Sequence, residues 1–239
     1  MLKLLSLFLL ISTYCFSVER LPYCDPAAAL NCAKKYLPDN PIVIECGACE
    51  GFDTVNMATL WPKGIIHSFE PIPEFFDILT QKTNHFPNVH RYKIALGDSC
   101  KKSQFYLSKY ENGNMAAASS LLPPSEELRN NGWMFFKDSI EVEVLALDSF
   151  AVIYHVCFPD FFWLDMQGYE LNMLQASEVA KRAKVIYIEV EFKQLYEGQY
   201  LYKDILKWMN ENHFDLVALD CDPETQPDFG NAVFVNRNR

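Results

Sequence analysis

The chain has 239 residues, half of them hydrophobic, which is enough for one sizeable core and does not require a second domain. A formal net charge of -10, a pI near 5.0 and the lack of any basic stripe argue against a nucleic-acid partner, because phosphate binding needs clustered Lys and Arg. The acidity itself is accounted for by solubility.

The first residues differ in kind from the rest. Met1, Leu2 and Lys3 lead into an apolar run from Leu4 to Phe16, with no further charge until Glu19. Residues 1–17 therefore read as a signal-peptide-like leader with Ser17 before the cleavage point, too short to span a bilayer comfortably. A buried N-terminal helix is the alternative. Membrane contact is expected only through this leader, if it is retained.

Residues 18–40 read as a helical extension, in which Asp25 caps a helix that has Pro26 at its first position and stops near Tyr36, before Pro38. From residue 41 the pattern alternates. Ile42-Val43-Ile44 reads as a strand buried on both faces, followed by a helix from Asp53 to Leu60, a strand from Ile65 to Phe69 and a helix from Pro73 to before Pro87. A strand near Val89 to Ile94 follows. Between Leu96 and Phe158 the rhythm breaks, with alternating segments at Gln104–Leu107 and Ile140–Leu145 around a looser stretch. We read this as an antiparallel insertion placed where a substrate lid could sit. The alternation then resumes with a strand at Phe161–Leu164, a helix from Glu170 to about Ala183, a strand at Val185–Val190 and a helix at Leu201–Asn212. Strands at Phe214–Leu219 and Ala232–Val235 close the chain. The expected class is α/β, a mostly parallel sheet with helices on both faces and an antiparallel end.

Eight cysteines, seven once Cys15 is set aside, are too dispersed for a disulfide framework, although Cys24 and Cys32 could form a local bridge after export. Cys46 and Cys49 make a C-x-x-C, but no second pair stands at zinc spacing and the five histidines show no ligand pattern. Glu189 and Glu191 share one strand face and could meet a cation with Asp165, but strand-end carboxylates are more often solvated or hydrogen-bonded. No metal is expected. The aromatic group Tyr196, Tyr200, Tyr202 and Trp208 reads as packing for the last helix.

Three strand ends carry the chemistry. Glu45-Cys46-Gly47-Ala48-Cys49-Glu50-Gly51 follows the first buried strand and opens a helix, as a turn does when its backbone must approach a nucleotide-like ligand. A side chain at Gly47 or Gly51 is expected to intrude on that ligand. The spacing departs from the dinucleotide fingerprint, because Cys49 stands where a glycine would, and this disfavours a nicotinamide-dependent oxidoreductase. Phe69-Glu70-Pro71 puts a carboxylate at the tip of the next strand, where ribose hydroxyls would be gripped, the alternative being a charge that favours the start of the helix at Pro73. Asp165, in Trp163-Leu164-Asp165-Met166-Gln167-Gly168-Tyr169-Glu170-Leu171, sits at the mouth of the same crevice, where a carboxylate can orient a hydroxyl or accept its proton.

These blocks together resemble the FkbM family of S-adenosylmethionine (SAM) dependent methyltransferases, over roughly Ile42 to Val235. Gly47 and Gly51 match its first glycine loop, Phe69-Glu70-Pro71 its acidic second motif, and Ala95-Leu96-Gly97-Asp98 its A-L-G-D turn. Leu147-Asp148 is similar to its L-D pair, the segment from Leu164 to Leu171 to its I-D-V-Q-G-Y-E-L signature, and Ile188-Glu189-Val190 and Leu195-Tyr196-Glu197-Gly198 to its I-E-V and L-Y-E-G pieces. The resemblance implies a Rossmann-like class I methyltransferase fold over residues 41–239 with a seven-stranded sheet. It implies methyl transfer from SAM to an oxygen of a small molecule or glycan. It also implies that Glu45, Gly47, Gly51, Glu70, Ala95, Leu96 and Asp98 serve the cofactor and that Asp165 or Glu189 assists the acceptor. Departures are Glu45 for the usual Asp, Cys49 near the usual Asn or small residue, and the apolar Phe162 and Trp163 where the family carries Lys. A binding module that keeps the fold without catalysis is the alternative function. The leader points to export and SAM dependence to the cytoplasm, so localisation stays open.

Overall fold

A computed structural model describes residues 18–239 apart from 131, 133 and 226. The leader at 1–17 lies outside the described residues. Among the described residues no helix is long and apolar enough to cross a membrane. The strands are β1 Glu19–Arg20, β2 Ile42–Cys46, β3 Ile65–Phe69, β4 Val89–Tyr92, β5 Ala95–Gly97, β6 Lys101–Tyr110, β7 Met134–Ala146, β8 Phe161–Leu164, β9 Val185–Glu191, β10 Phe214–Leu219 and β11 Phe229–Asn236. The helices are α1 Pro26–Lys34, α2 Phe52–Leu60, α3 Pro73–Thr83, α4 Glu126–Arg129, α5 Leu147–Ile153, α6 Glu170–Gln175 and α7 Tyr202–Glu211.

Eight strands form the main sheet in the order β1-β10-β11-β9-β8-β2-β3-β4, with β11 antiparallel to both neighbours and the other pairs parallel. The expected seven-stranded sheet thus gains an edge strand, β1, from the extension. β8 and β9 lie at the centre, and their continuous apolar runs suit a sheet covered on both faces. On one face Val43, Phe161 and Trp163 pack with Leu30 and Ala33 of α1, with Met57 of α2 and with Trp61 just after it. On the other, Ile44, Phe162 and Leu164 pack with Phe150 of α5, Leu174 of α6 and Met209 of α7. Fully buried side chains of this size each stabilise the fold by about 1.5–3 kcal/mol.

Asp25 caps α1 as expected, accepting from the Ala28 amide at 3.1 Å. The helix expected from Glu170 to Ala183 instead ends at Gln175. Asp148, in the first turn of α5, accepts from the Ser177 hydroxyl and from the amides of Glu178 and Val179, which diverts the chain into a separate 3-10 turn at Ala180–Arg182. The L-D pair is therefore a clasp between helices. Cys24 and Cys32 are both free, the first exposed and the second buried in the core beneath α1, so no bridge joins them.

The inserted segment folds as a second sheet in the order β5-β7-β6, with β6 and β7 antiparallel, and α5 follows β7 directly. Phe105, Leu107, Val142 and Val144 from this sheet pack against Ile72 and Phe75 at the start of α3 and against Tyr169. The small sheet is thereby fixed over the carboxyl ends of β2, β3 and β8. The strand order departs in opposite directions from β2 and β8 at this point, where open α/β sheets form their ligand crevice.

Candidate active site

Two cavities lie under the inserted segment. The first encloses about 630 Å³, including its open mouth, and is lined by Cys46, Gly47, Phe69, Glu70, Leu96 and Asp165 among others. It is a mostly apolar slot with a few polar groups at its ends, the usual character of a site for a molecule of cofactor size. The second, of about 1060 Å³, is lined by Glu189, Glu191, Tyr196 and Phe229 and by residues of the insertion. Asp165, Gln167, Ala116 and Ala117 line both cavities, so the two share a wall.

The glycine turn after β2 brings the first wall into place. Gly47, Cys49 and Gly51 all have left-handed backbone, with φ of 85°, 48° and 82°. A Cβ on Gly47 would stand 1.9 Å from the Asp165 carbonyl oxygen, and one on Gly51 would stand 2.7 Å from Leu79 of α3. Both glycines are thus required by contact within the protein. Gly47 also lines the first cavity, whereas Gly51 packs on α3 outside it, in correction of the expectation that a side chain there would intrude on a ligand.

Glu70, 4% exposed, lies at the tip of β3 and faces the first cavity. Its carboxylate accepts from the amides of Cys49 at 2.9 Å and Ile72 at 2.7 Å, tying the glycine turn to the start of α3. Burial pushes its pKa up to about 7 against the pull of those two amides. Ala95 and Leu96 of β5 also line this cavity. Glu45 does not, for its side chain is buried on the α2 side, accepts from the Thr54 hydroxyl at 2.6 Å and is pushed by burial to about 7. Asp98 stands at the surface in an ion pair of 2.8 Å with Lys101. Trp163, in place of the family Lys, stacks on Tyr187 at 3.6 Å between ring centres, and Phe162 is fully buried on the opposite face. Neither lines either of the two cavities.

At the shared wall Gln167 adopts φ 54°, a left-handed conformation that a non-glycine residue holds only when its surroundings impose it. Its amide nitrogen donates to Asp165 at 2.6 Å and to Glu189 at 2.7 Å, bridging the two carboxylates. The Tyr196 hydroxyl lies 3.0 Å from the Gln167 amide oxygen and 2.8 Å from the Ala118 carbonyl oxygen, its one proton shared between the two acceptors. Ser120 of the insertion donates to the Gln167 backbone carbonyl at 2.8 Å. Tyr196 is therefore a wall residue of the second cavity and a support for Gln167, in correction of its expected role as packing for α7. Burial pushes Asp165 above the usual carboxylate range, and burial with repulsion from neighbouring carboxylates pushes Glu189 well above it. One of these groups can hold a proton while the other is ionised, which is the requirement for taking a proton from a hydroxyl. Gln167 and Tyr196 were missed as site residues, although both stand inside motifs quoted above.

Residues 45–216 match the profile described as the Methyltransferase FkbM domain. The chain belongs to the FkbM methyltransferase family. FkbM membership makes it a SAM-dependent methyltransferase and decides against the oxidoreductase. It is 27% identical over 187 residues to the 2-O-methyltransferase NoeI of Sinorhizobium fredii, a match covering 76% of this chain and 74% of NoeI. A fibrillarin/Nop5p complex shares its fold, with a TM-score of 0.51 and 16% identity over 87% of this chain and 79% of that one. As an FkbM methyltransferase the protein needs a place for SAM, and the first cavity fits it. A buried carboxylate at the β3 tip suits ribose hydroxyls, and the apolar walls at Phe69, Ile72, Phe75 and Leu96 suit a base.

Proposed function

We propose that the protein transfers a methyl group to a hydroxyl oxygen of a small molecule or glycan, with the donor in the first cavity and the acceptor in the second. The observation that carries this reading is the wall shared by the two cavities, in which Asp165 faces both. SAM supplies an electrophilic methyl on a sulfonium sulfur. Glu70 grips its ribose and Gly47 lets the turn lie close beside it. Ala95 and Leu96 border the base. Glu45, Gly51 and Asp98 act at one remove, through the core, α3 and the surface turn.

On the acceptor side Asp165 orients the hydroxyl and receives its proton, and Gln167 holds Asp165 and Glu189 in register. In-line transfer is governed by alignment, so a fixed carboxylate at the meeting point of the cavities contributes mainly through positioning. The second cavity presents Asp165, Glu189 and Glu191 and suits a neutral acceptor rich in hydroxyl donors. The same carboxylates and the net charge of -10 disfavour a phosphate backbone. Similarity to a 2-O-methyltransferase supports oxygen as the atom methylated. We place the catalytic unit at 41–239, with 18–40 as an extension that closes one sheet edge.

The test is methyl transfer from isotopically labelled SAM to a panel of oligosaccharides and hydroxylated small molecules. Label in an alkali-stable ether is expected, falling about 100-fold or more in rate in Asp165→Asn with SAM affinity retained. Turnover unchanged in Asp165→Asn removes that residue from the chemistry.

A further inference from the structure

Beside Gln167 lies a group of carboxylates that methyl transfer by proximity does not call for. Oxygens of Glu170, Glu189 and Glu191 lie within 4.8 Å of one another. Glu189 and Glu191 project from the same face of β9 and line the second cavity. Glu170 enters from the first turn of α6, with one oxygen held by the Met166 amide at 2.6 Å and the Gly168 amide at 3.4 Å. Glu191 is 1% exposed, yet its Oε2 is buried with no hydrogen-bond partner. Among the described residues the hydrogen bonds given to these three carboxylates come from Gln167 and from backbone amides. The ion pairs of the described lysines and arginines lie with other acids.

Three carboxylates in one buried place, one of them with an idle oxygen, are neutralised by protons or by a positive charge, and the ion pairs of the described lysines and arginines lie elsewhere. Removing an unpaired carboxylate from water costs several kcal/mol unless something answers it. An all-oxygen donor set selects hard divalent ions over zinc or copper. A small inward shift brings oxygens this close to the roughly 2.1–2.6 Å ligand distances of such ions. The second cavity gives the ion an entry path and leaves coordination positions open toward an acceptor.

We propose that Glu170, Glu189 and Glu191 hold a divalent cation of the Mg2+ or Mn2+ class on the wall of the second cavity, where it binds the acceptor hydroxyl. The role at the hydroxyl rests on the oxygen-methylation reading above, whereas the site itself stands on the carboxylate cluster. A cation there lowers the cost of deprotonating the hydroxyl. The O–H proton passes to Asp165, the oxygen lone pair forms the new C–O bond, and the C–S pair returns to the donor sulfur as a neutral thioether. Every atom and charge is then accounted for, with the cation unchanged.

The experiment titrates the chelator-treated full chain with Mn2+, following free ion by electron paramagnetic resonance and heat by calorimetry, and measures SAM affinity separately on the same samples. One Mn2+ per chain is expected, bound about tenfold or more weakly by Glu191→Gln and by Glu189→Gln, with SAM affinity kept within about twofold. Absence of stoichiometric Mn2+ binding by the unmodified chain overturns the proposal, and so does binding unchanged in both variants. The primary measurement uses the unmodified chain, so a variant that fails to fold does not decide it. Product analysis is independent of the titration, which keeps failure of the cation site apart from failure of oxygen methylation.

Discussion

Gly47 shows how two physical demands on one residue look alike in a sequence. A nucleotide-like ligand and a neighbouring strand both demand close approach of backbone, and a sequence shows only that a side chain is missing. Here the neighbour is the Asp165 carbonyl, 1.9 Å from where a Cβ would stand. Gly47→Ala is expected to lose about 3 kcal/mol or more of stability, from the clash and from the left-handed φ of 85° together, as a drop in melting temperature. Glu70 stands at the tip of β3 facing the first cavity, and its carboxylate also holds the Ile72 amide at the start of α3. Its buried carboxyl sits at about 7, so it is half protonated near neutrality, and only the ionised form accepts two ribose hydroxyls. SAM affinity by calorimetry is expected to tighten as pH rises from about 6 to about 8, and Glu70→Gln is expected to weaken it roughly tenfold and to flatten that dependence. An affinity that is flat with pH in the unmodified protein would remove the ribose contact from Glu70. Glu45, by contrast, could not be told from a ligand contact in sequence, because its partner Thr54 is a helix residue nine positions away whose direction depends on packing.

At the scale of elements, the strands with continuous apolar runs were legible almost to the residue, as Ile65–Phe69 and Phe161–Leu164 show. α6 was not, because what stops it is tertiary: Asp148, nearly thirty residues earlier, takes the Ser177 hydroxyl and two amides that a continuing helix would have used internally. β1 was hidden for a similar reason, since two residues carry no periodicity and gain a strand's identity only by pairing with Ala218 and Leu219. The insertion was seen as irregular and placed near the substrate, but its contribution to both cavity walls depends on Ser120 and Tyr196 meeting at Gln167. The turn carrying Gln167 therefore links the first cavity and the second. Gln167→Leu removes the bridge between Asp165 and Glu189 and is expected to lower kcat about 10- to 100-fold with KM for SAM little changed. A change confined to KM for SAM would assign Gln167 to cofactor binding instead.

For the whole molecule, the buried titratable groups give the stability a pH signature. His67, packed beside His90, Tyr92 and Phe150, is held down to about 4 by burial and by the His90 charge. A folded pKa below the unfolded value favours the native state above about 6.5, and that contribution is lost as pH falls toward 4. His67→Phe is accordingly expected to narrow the drop in melting temperature between pH 6.5 and pH 4. Glu45 acts in the opposite sense, for its raised pKa favours the fold below the usual carboxylate value and that benefit disappears as pH rises through about 7. Glu45→Gln, which can still accept from Thr54, should gain on the unmodified protein by up to about 3 kcal/mol between pH 4.5 and pH 8.

The arrangement of the whole chain brings two cavities to one end of the sheet with Asp165 between them, the feature on which the proposed oxygen methylation rests. The most direct test is to incubate the protein with SAM carrying a 13C methyl and a mixture of oligosaccharides, and to locate the label in the product by NMR. The expected result is a methyl ether on a sugar oxygen, absent with Asp165→Asn although that variant still binds SAM. Label on nitrogen, carbon or sulfur of any acceptor, or a methyl ether formed equally well by Asp165→Asn, would contradict it.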